Sequence, residues 1–377
     1  PEQLARGAYL ARAGNCAACH TTRGGTPYAG GRGIDTPFGT VYSSNLTPDV
    51  RTGIGSWSAA EFWRALHNGR SKDGRLLYPA FPYPSYTTVT RADSDALYAY
   101  LHSLTATAQP AKPHALRWPF NQQAALAVWR ALYFTPTQFQ PEAAQSAEWN
   151  RGAYLVRGLG HCGACHTTRN ALGAPDDRLD LAGGLIPVQN WYAPSLTSPQ
   201  EASVRDWPLE DAVRLLQTGV APQGMVLGPM AEVVQQSTQY LTLQDLTAMA
   251  TYLQALPPST VEPGRDVSAA ARHVERGAQL YAQHCAQCHG AQGQGVAGAY
   301  PALAGNRAVT MASTANLVQV VRNGGFAPAT AGNPRPFGMP PFVLVLGDAD
   351  IATVLTHIRA SWGNQAGAVT ELEVGRR

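Results

Sequence analysis

Every cysteine of this 377-residue chain belongs to one pattern, C-x-x-C-H, which occurs three times. The copies are Cys16-Ala17-Ala18-Cys19-His20, Cys162-Gly163-Ala164-Cys165-His166 and Cys285-Ala286-Gln287-Cys288-His289. A zinc site, a thioredoxin-like redox pair and a disulfide framework each need a partner arrangement that three separate motifs do not supply. The pattern is the attachment signal of c-type haem.

The motif spacing explains how a haem would be held. Two thiols three positions apart on one helical turn reach the vinyl groups of a haem, and the next histidine meets the iron. We therefore predict three covalently bound haem c groups, here called haems 1, 2 and 3 in motif order. The predicted attachment residues are Cys16, Cys19, Cys162, Cys165, Cys285 and Cys288. The predicted proximal iron ligands are His20, His166 and His289.

A related segment precedes each motif, at residues 6–10, 151–155 and 276–280 (RGAYL, RGAYL and RGAQL). This repeat predicts an all-α protein of three tandem class I-like cytochrome c domains, each with a few short helices and long loops around one haem. The predicted domains span residues 1–108, 145–257 and 268–377, the last with a C-terminal tail. An apolar, aromatic-rich segment at 109–144 and a linker at 258–267 join them.

Helix-end signals recur in each copy. Ser58 and Glu61 form a capping box before a helix that Gly69 ends, and Thr242 and Asp245 resemble another. Gly219 and Gly324 end the corresponding helices of the other copies. Because the chain contains 37 glycines and 28 prolines, we expect long loops and little or no β-sheet core.

Two methionines fit the sixth, distal position on the iron, where Met opposite His raises the haem potential. Met339 and Met230 both lie in glycine and proline loops before the last helix of their copies, 11 residues before Asp350 and 15 before Asp245. We predict them as ligands of haems 3 and 2. The remaining methionines are assigned to packing: Met225, Met249 and Met311.

The first copy departs from this pattern, because Phe81 stands at the equivalent position, 14 residues before Asp95, and phenylalanine cannot bind iron. Haem 1 is then either five-coordinate or bound by another side chain. His67 is the leading candidate, ahead of His102 and His114. An open or bis-histidine haem 1 would have a lower potential than the two His/Met haems.

Net charge and hydropathy exclude two further classes of protein. The net charge is +3 without a basic block, which excludes a nucleic-acid binder. No apolar run approaches the 18 residues of a membrane span. Because cytochromes c are matured outside the cytoplasm, we expect a periplasmic protein at the outer face of the inner membrane, with its signal peptide removed before Pro1.

Further motifs add a family resemblance that covers nearly the whole chain. They are Leu77-Tyr78-Pro79-Ala80, Pro82-Tyr83, Ala193-Pro194-Ser195-Leu196 and Ser361-Trp362-Gly363-Asn364. With the three haem motifs, the chain resembles the tri-haem cytochrome c subunits of membrane-associated bacterial dehydrogenases. Such subunits accompany quinoprotein alcohol dehydrogenases and flavin-dependent gluconate, fructose or glucose dehydrogenases, and a similar group accompanies molybdenum hydroxylases of aldehydes or N-heteroaromatics.

The resemblance implies a chain with no catalytic residues of its own. It would carry electrons from a larger catalytic subunit, assembled with a small subunit, to ubiquinone or a terminal oxidase. Phe81 looks more like the molybdenum-hydroxylase branch, which we favour. Two alternatives stay open: a haem enzyme such as a peroxidase, with haem 1 open to substrate, and a free soluble redox shuttle.

Two other features have open interpretations. Residues 116–134 are aromatic and amphipathic, and would lie on the bilayer or against a quinone, or would pack as the joint between the first two domains, which we prefer. Arg23 and Arg169 each follow the second cysteine of a motif by four residues and would either pair with haem propionates or stay solvated.

Overall fold

The computed structural model describes residues 1–259 and 274–376. Most of its regular structure is helical, and most of the helices are short. The helices are α1 (Glu2–Ala13), α2 (Cys16–His20), α3 (Ala59–Asn68), α4 (Tyr83–Tyr86), α5 (Arg91–His102), α6 (Gln123–Tyr133), α7 (Ala147–Tyr154), α8 (Gly163–His166), α9 (Leu209–Thr218), α10 (Gly228–Gln236), α11 (Leu243–Gln254), α12 (Val274–His284), α13 (Ala286–His289), α14 (Arg307–Thr310), α15 (Ala315–Asn323), α16 (Asp348–Ala360) and α17 (Glu371–Gly375).

Small antiparallel sheets accompany the helices, so the all-α prediction holds for the bulk of the fold and not for every loop. The strands are β1 (Gly33–Thr36), β2 (Gly39–Tyr42), β3 (Ala115–Leu116), β4 (Gly184–Ile186), β5 (Trp191–Ala193), β6 (Val220–Ala221), β7 (Gly224–Met225), β8 (Gly325–Phe326) and β9 (Gly338–Met339). They are two to four residues long and form one three-stranded sheet, β1-β2-β3, and three hairpins. Sheets of this size fasten loops and supply no core of their own.

The chain forms two compact units. Unit 1 comprises Pro1–Asp180 and Gln236–Tyr252, and unit 2 comprises Leu181–Gln235 and Leu253–Arg377. The predicted second domain, 145–257, therefore contributes residues to both units. Of the predicted linker and third domain, residues 260–273 lie outside the described residues.

The same helix crossing occurs in each copy and accounts for the repeated Arg-Gly pair. A β-carbon on Gly7, Gly152 or Gly277 would collide with the last helix of its own copy, so glycine lets the two helices approach closely. The preceding arginine pairs with an aspartate of that last helix in every copy: Arg6 with Asp93, Arg151 with Asp245 and Arg276 with Asp350. The register of the first copy thus runs through Asp93 and not through Asp95.

A one-residue insertion in the second copy is absorbed as a π-helical turn, Leu155–Leu159, between α7 and the haem motif. From the repeat arginine to the first cysteine there are ten residues in the first copy (Arg6 to Cys16) and eleven in the second (Arg151 to Cys162). A π-helical turn takes up one extra residue without breaking the helix. The extra residue is therefore taken up in the helix before the motif begins.

The predicted helix ends are confirmed. Ser58 and Glu61 make a complete capping box at α3, and Thr242 accepts a hydrogen bond from the Asp245 backbone N–H at 3.2 Å. Gly69 and Gly219 follow α3 and α9 with left-handed φ angles of 57° and 78°. Gly324, with φ 66°, follows α15. Glycine is favoured at these positions because it adopts positive φ without steric cost.

Segment 109–144 contains α6 and contacts residues of the first two copies within unit 1. Its Arg130 donates a hydrogen bond to the Asn68 carbonyl at 2.6 Å, and its Trp129 indole donates to the Leu172 carbonyl at 2.9 Å. Leu126 is buried. In the described parts of the chain, no helix is long and apolar enough to cross a membrane.

Candidate haem sites

The first motif forms the short helix α2, which a left-handed residue, Asn15 (φ 50°), sets off from α1. The His20 Nδ1–H donates to the Ser44 carbonyl oxygen at 2.7 Å. A carbonyl accepts hydrogen bonds and cannot donate, so Nδ1 carries the proton and Nε2 keeps its lone pair. Burial lowers the pKa of His20, which also favours the neutral ring. This ring is prepared to bind iron through Nε2.

The third motif, at the start of α13, repeats the arrangement in unit 2. The His289 Nδ1–H donates to the Pro301 carbonyl oxygen at 3.0 Å, and burial lowers the pKa of the ring. Cys285 packs against the hydrophobic core of this unit, and so does Met339. The predicted attachment residue and distal ligand of haem 3 thus border one apolar cluster.

The second motif consists of Cys162, which directly precedes α8, and the helix itself, which ends at His166. The backbone N–H groups of Cys165 and His166 both donate to the Cys162 carbonyl, at 3.2 and 2.9 Å. These bonds close one tight turn, which keeps the two thiols three positions apart on the same side.

The first cysteine of each motif is half-buried and has a raised pKa. Burial raises the pKa of Cys16 and of Cys162 to about 12, and that of Cys285 to about 11. A thioredoxin-like pair needs a thiol with a depressed pKa, so these motifs do not suit thiol redox chemistry. In the described residues, no three His, Cys, Asp or Glu side chains gather as a metal-binding group. The donor set and its surroundings fit covalent haem.

The predicted distal methionines occupy different local positions. Met339 lies in β9 and pairs in register with Gly325. Met225 pairs with Val220 in the corresponding hairpin of the second copy, and Met230 follows in the first turn of α10. Both Met230 and Met339 are half-buried. Their role as iron ligands stays a prediction, while Met249 and Met311 are buried as expected of packing residues.

Phe81 occupies the place that Met230 takes in the second copy. The Leu77 backbone N–H donates to the Gly69 carbonyl, and the Val226 N–H donates to the Gly219 carbonyl, each at 2.9 Å. Phe81 and Met230 both follow that bond by four residues. The sequence correspondence therefore extends to this backbone hydrogen bond, although Phe81 precedes α4 and Met230 lies within α10.

Phe81 also lies in the surroundings of the first motif. Cys16 and Phe81 pack against the same core cluster of unit 1. The Phe81 ring lies 5.4 Å from the ring of Tyr86, centroid to centroid, and the Tyr86 hydroxyl donates to the Gly14 carbonyl at 3.0 Å. A phenyl group thus stands where the second copy offers Met230.

His67, the leading alternative ligand of haem 1, is held by two contacts. Its Nδ1–H donates to the Thr87 carbonyl at 2.8 Å, and its ring stacks on Trp63 with the centroids 4.5 Å apart. His102 contacts the Tyr98 ring at 4.1 Å, and His114 accepts from the Tyr42 backbone N–H at 3.1 Å. None of these contacts selects a sixth ligand.

The two arginines predicted beside the haems behave differently from one another. Arg23 is exposed. Arg169 is half-buried and donates to two backbone carbonyls, Ala164 at 2.6 Å and Gly173 at 2.8 Å. In the first copy the corresponding contact is made by Arg32, which donates to the Ala18 carbonyl. Counting four residues from the second cysteine of the motif selected Arg23 and missed Arg32. The loop that brings Arg32 back to the motif is fixed by contacts between residues that are distant in the sequence.

Comparison with known protein families supports the assignment of these sites. A model of the family described as Cytochrome c matches residues 4–105 and 274–362. The chain belongs to the cytochrome c family. Its first and third copies carry the match, and the second has the same motif and helix crossing.

Three relatives extend the similarity over nearly the whole cytochrome. The cytochrome c subunit of the quinone-type alcohol dehydrogenase of Gluconacetobacter polyoxogenes is 42% identical over 98% of this chain and 82% of the relative. The gluconate 2-dehydrogenase cytochrome c subunit of Pantoea cypripedii is 39% identical, covering 96% and 86%. A nicotinate dehydrogenase subunit of Pseudomonas putida is 42% identical, covering 94% of this chain and 30% of the relative.

These comparisons confirm the resemblance to cytochrome c subunits of bacterial dehydrogenases. The relatives from Gluconacetobacter and Pantoea are named as cytochrome subunits, which agrees with a chain that carries electrons and leaves catalysis to another subunit. The predicted haem number, three, rests on the three motifs of the sequence.

Proposed function

We propose that this cytochrome relays electrons through three haem c groups from a catalytic dehydrogenase subunit to ubiquinone or another respiratory acceptor. The observation that carries this proposal is the repeated attachment turn, in which His20 and His289 have their Nδ1 atoms bound to backbone carbonyls and their Nε2 atoms free of that bond. The haems supply one-electron chemistry when bound. The chain supplies their axial ligands, their apolar surroundings and their spacing along one polypeptide.

For the partner, we propose a molybdenum hydroxylase of aldehydes or N-heteroaromatic compounds, assembled with a small subunit. Phe81 in the position of a distal methionine supports this choice, as does the relative named as part of a nicotinate dehydrogenase. A quinoprotein or flavin dehydrogenase is the second candidate, because the alcohol and gluconate dehydrogenase relatives are similar at 42% and 39% identity.

Substrate-driven haem reduction tests both the function and the partner. When the cytochrome is purified from its host together with its associated subunits, nicotinate or an aldehyde will reduce the haems, as measured by absorption spectroscopy. Reduction by an alcohol or gluconate instead would favour the second candidate. The isolated cytochrome is the control and will stay oxidised with every substrate. Consumption of peroxide by the isolated chain would contradict a purely electron-carrying role.

We propose further that the protein works in the periplasm, on the outer face of the inner membrane, and that α6 contacts the lipid. Val128 and Leu132 are neighbours on one face of α6 and are 61% and 63% exposed, and Trp118 before the helix is 78% exposed. Residues 96–141 contain no aspartate or glutamate but include Lys112, Arg117 and Arg130. An exposed apolar helix face with cationic neighbours suits an anionic bilayer surface.

Vesicle flotation tests this attachment. The holoprotein will float with phosphatidylglycerol-containing vesicles, and the double variant Val128→Glu, Leu132→Glu will bind at least about tenfold more weakly, since two apolar contacts are lost and two like charges face the lipid. Leu344→Glu is the matched control, because Leu344 is 81% exposed in unit 2. Equal binding of the double variant and the wild type would contradict contact through α6.

A further inference from the structure

Two arginines of unit 1 bind the equivalent backbone carbonyl oxygen in two different haem motifs. Arg32 donates to the carbonyl of Ala18, and Arg169 donates to the carbonyl of Ala164 at 2.6 Å. Ala18 and Ala164 each directly precede the second haem-binding cysteine of their motif. In both motifs, therefore, a guanidinium is fixed at the turn that carries the haem.

The bonds have a clear structural cause. The last four carbonyls of any helix lack a partner within that helix, and in helices as short as α2 and α8 these include the carbonyls of Ala18 and Ala164. Arginine satisfies such a carbonyl with a strong, charge-assisted bond. Arg169 donates a second bond, to the Gly173 carbonyl at 2.8 Å, which fixes its plane.

The two arginines reach this position by different routes. Arg169 follows Cys165 by four residues, whereas Arg32 follows Cys19 by thirteen. Arg23, which has the offset of Arg169 in the first copy, is exposed instead. Because local sequence does not impose the contact, its presence in both copies points to a function of the charge at this place.

The third motif carries neither arginine. Gln292 and Pro301 stand at the two corresponding offsets after Cys288. Haem 3 therefore serves as an internal reference for haems 1 and 2.

We propose that Arg32 and Arg169 are positioning residues that hold a positive charge beside the attachment turns of haems 1 and 2 and thereby raise the reduction potentials of these two haems. This inference rests on the proposed function as a multi-haem electron carrier. Reduction adds one electron to each ferric iron and removes one unit of positive charge. A fixed cation nearby destabilises the ferric form relative to the ferrous form and so favours reduction.

Spectroelectrochemical titration of holoprotein variants tests the proposal. In Arg169→Gln, the ferric-to-ferrous ratio of one haem at a fixed electrode potential will rise about tenfold, which for a one-electron couple is 59 mV. The other two haems will keep their wild-type ratios. Arg32→Gln will shift a different haem in the same direction. Arg169→Lys, which keeps the charge, will restore most of the wild-type ratio.

Arg23→Gln is the matched control, because it removes an exposed arginine near the first motif and will leave all three ratios unchanged. If Arg169→Gln and Arg32→Gln leave every ratio within twofold of wild type, the arginines only tie down the loops and the proposal is wrong. Should Arg169→Gln lose a haem, Arg32→Gln decides the question. A haem count below three in the wild type would instead overturn the proposed function.

Discussion

Replacing Phe81 with methionine will give haem 1 a sulfur ligand and raise its reduction potential by on the order of 100 mV. Phe81 packs against the same core cluster as Cys16 and follows its hairpin bond by the same four residues as Met230 does. A methionine side chain is flexible enough to fit the space of a phenyl ring. The change adds an axial ligand of the kind that stabilises ferrous iron.

Low-temperature electron paramagnetic resonance checks this result, because it separates five-coordinate high-spin from six-coordinate low-spin ferric haem. If haem 1 is five-coordinate in the wild type, the wild type will give one high-spin and two low-spin haems, and Phe81→Met will give three low-spin haems. Phe81→Leu is the control and will keep the wild-type signals. Three low-spin haems in the wild type would show that another side chain binds haem 1. His67→Ala would then expose a high-spin haem if His67 is that ligand.

Repeated local patterns account for what the sequence predicted well. Short-range signals such as the capping box of Ser58 and Glu61, and Gly69 after the same helix, act within a few residues and need no tertiary context. The Arg-Gly pair was visible as a repeat. Its cause was not, because the close helix approach at Gly7 involves a helix about 90 residues later.

Long-range loop geometry accounts for what was missed. Sequence offset paired Arg23 with Arg169, whereas the structure gives the contact to Arg32. Register counted from Asp95 is shifted, because the buried aspartate that pairs with Arg6 is Asp93. The π-helical turn at Leu155–Leu159 is readable in retrospect from the extra residue between Arg151 and Cys162. The short hairpins were not expected, since strands of two or three residues leave no alternating pattern to detect.

Replacing Met339 with leucine will remove the sulfur from haem 3, give a high-spin ferric signal and lower the potential of one haem by on the order of 100 mV. Met339 is half-buried and packs against the core cluster that also contacts Cys285. Leucine preserves the apolar volume, so the free energy of unfolding should fall by less than about 1.5 kcal/mol. Three haems should stay attached, because Cys285, Cys288 and His289 are unchanged. Redox titration and paramagnetic resonance measure the two effects separately.

Met311→Leu and Met225→Leu are the matched controls for this substitution. Met311 is 3% exposed and Met225 lies in β7, so both changes are conservative in volume and neither should alter a haem potential. A shift in Met225→Leu without one in Met230→Leu would assign the haem 2 ligand to the methionine whose strand register matches that of Met339. An unchanged potential in Met339→Leu would leave haem 3 without its predicted ligand. The higher potential that we expect for this haem would then have to come from its apolar surroundings.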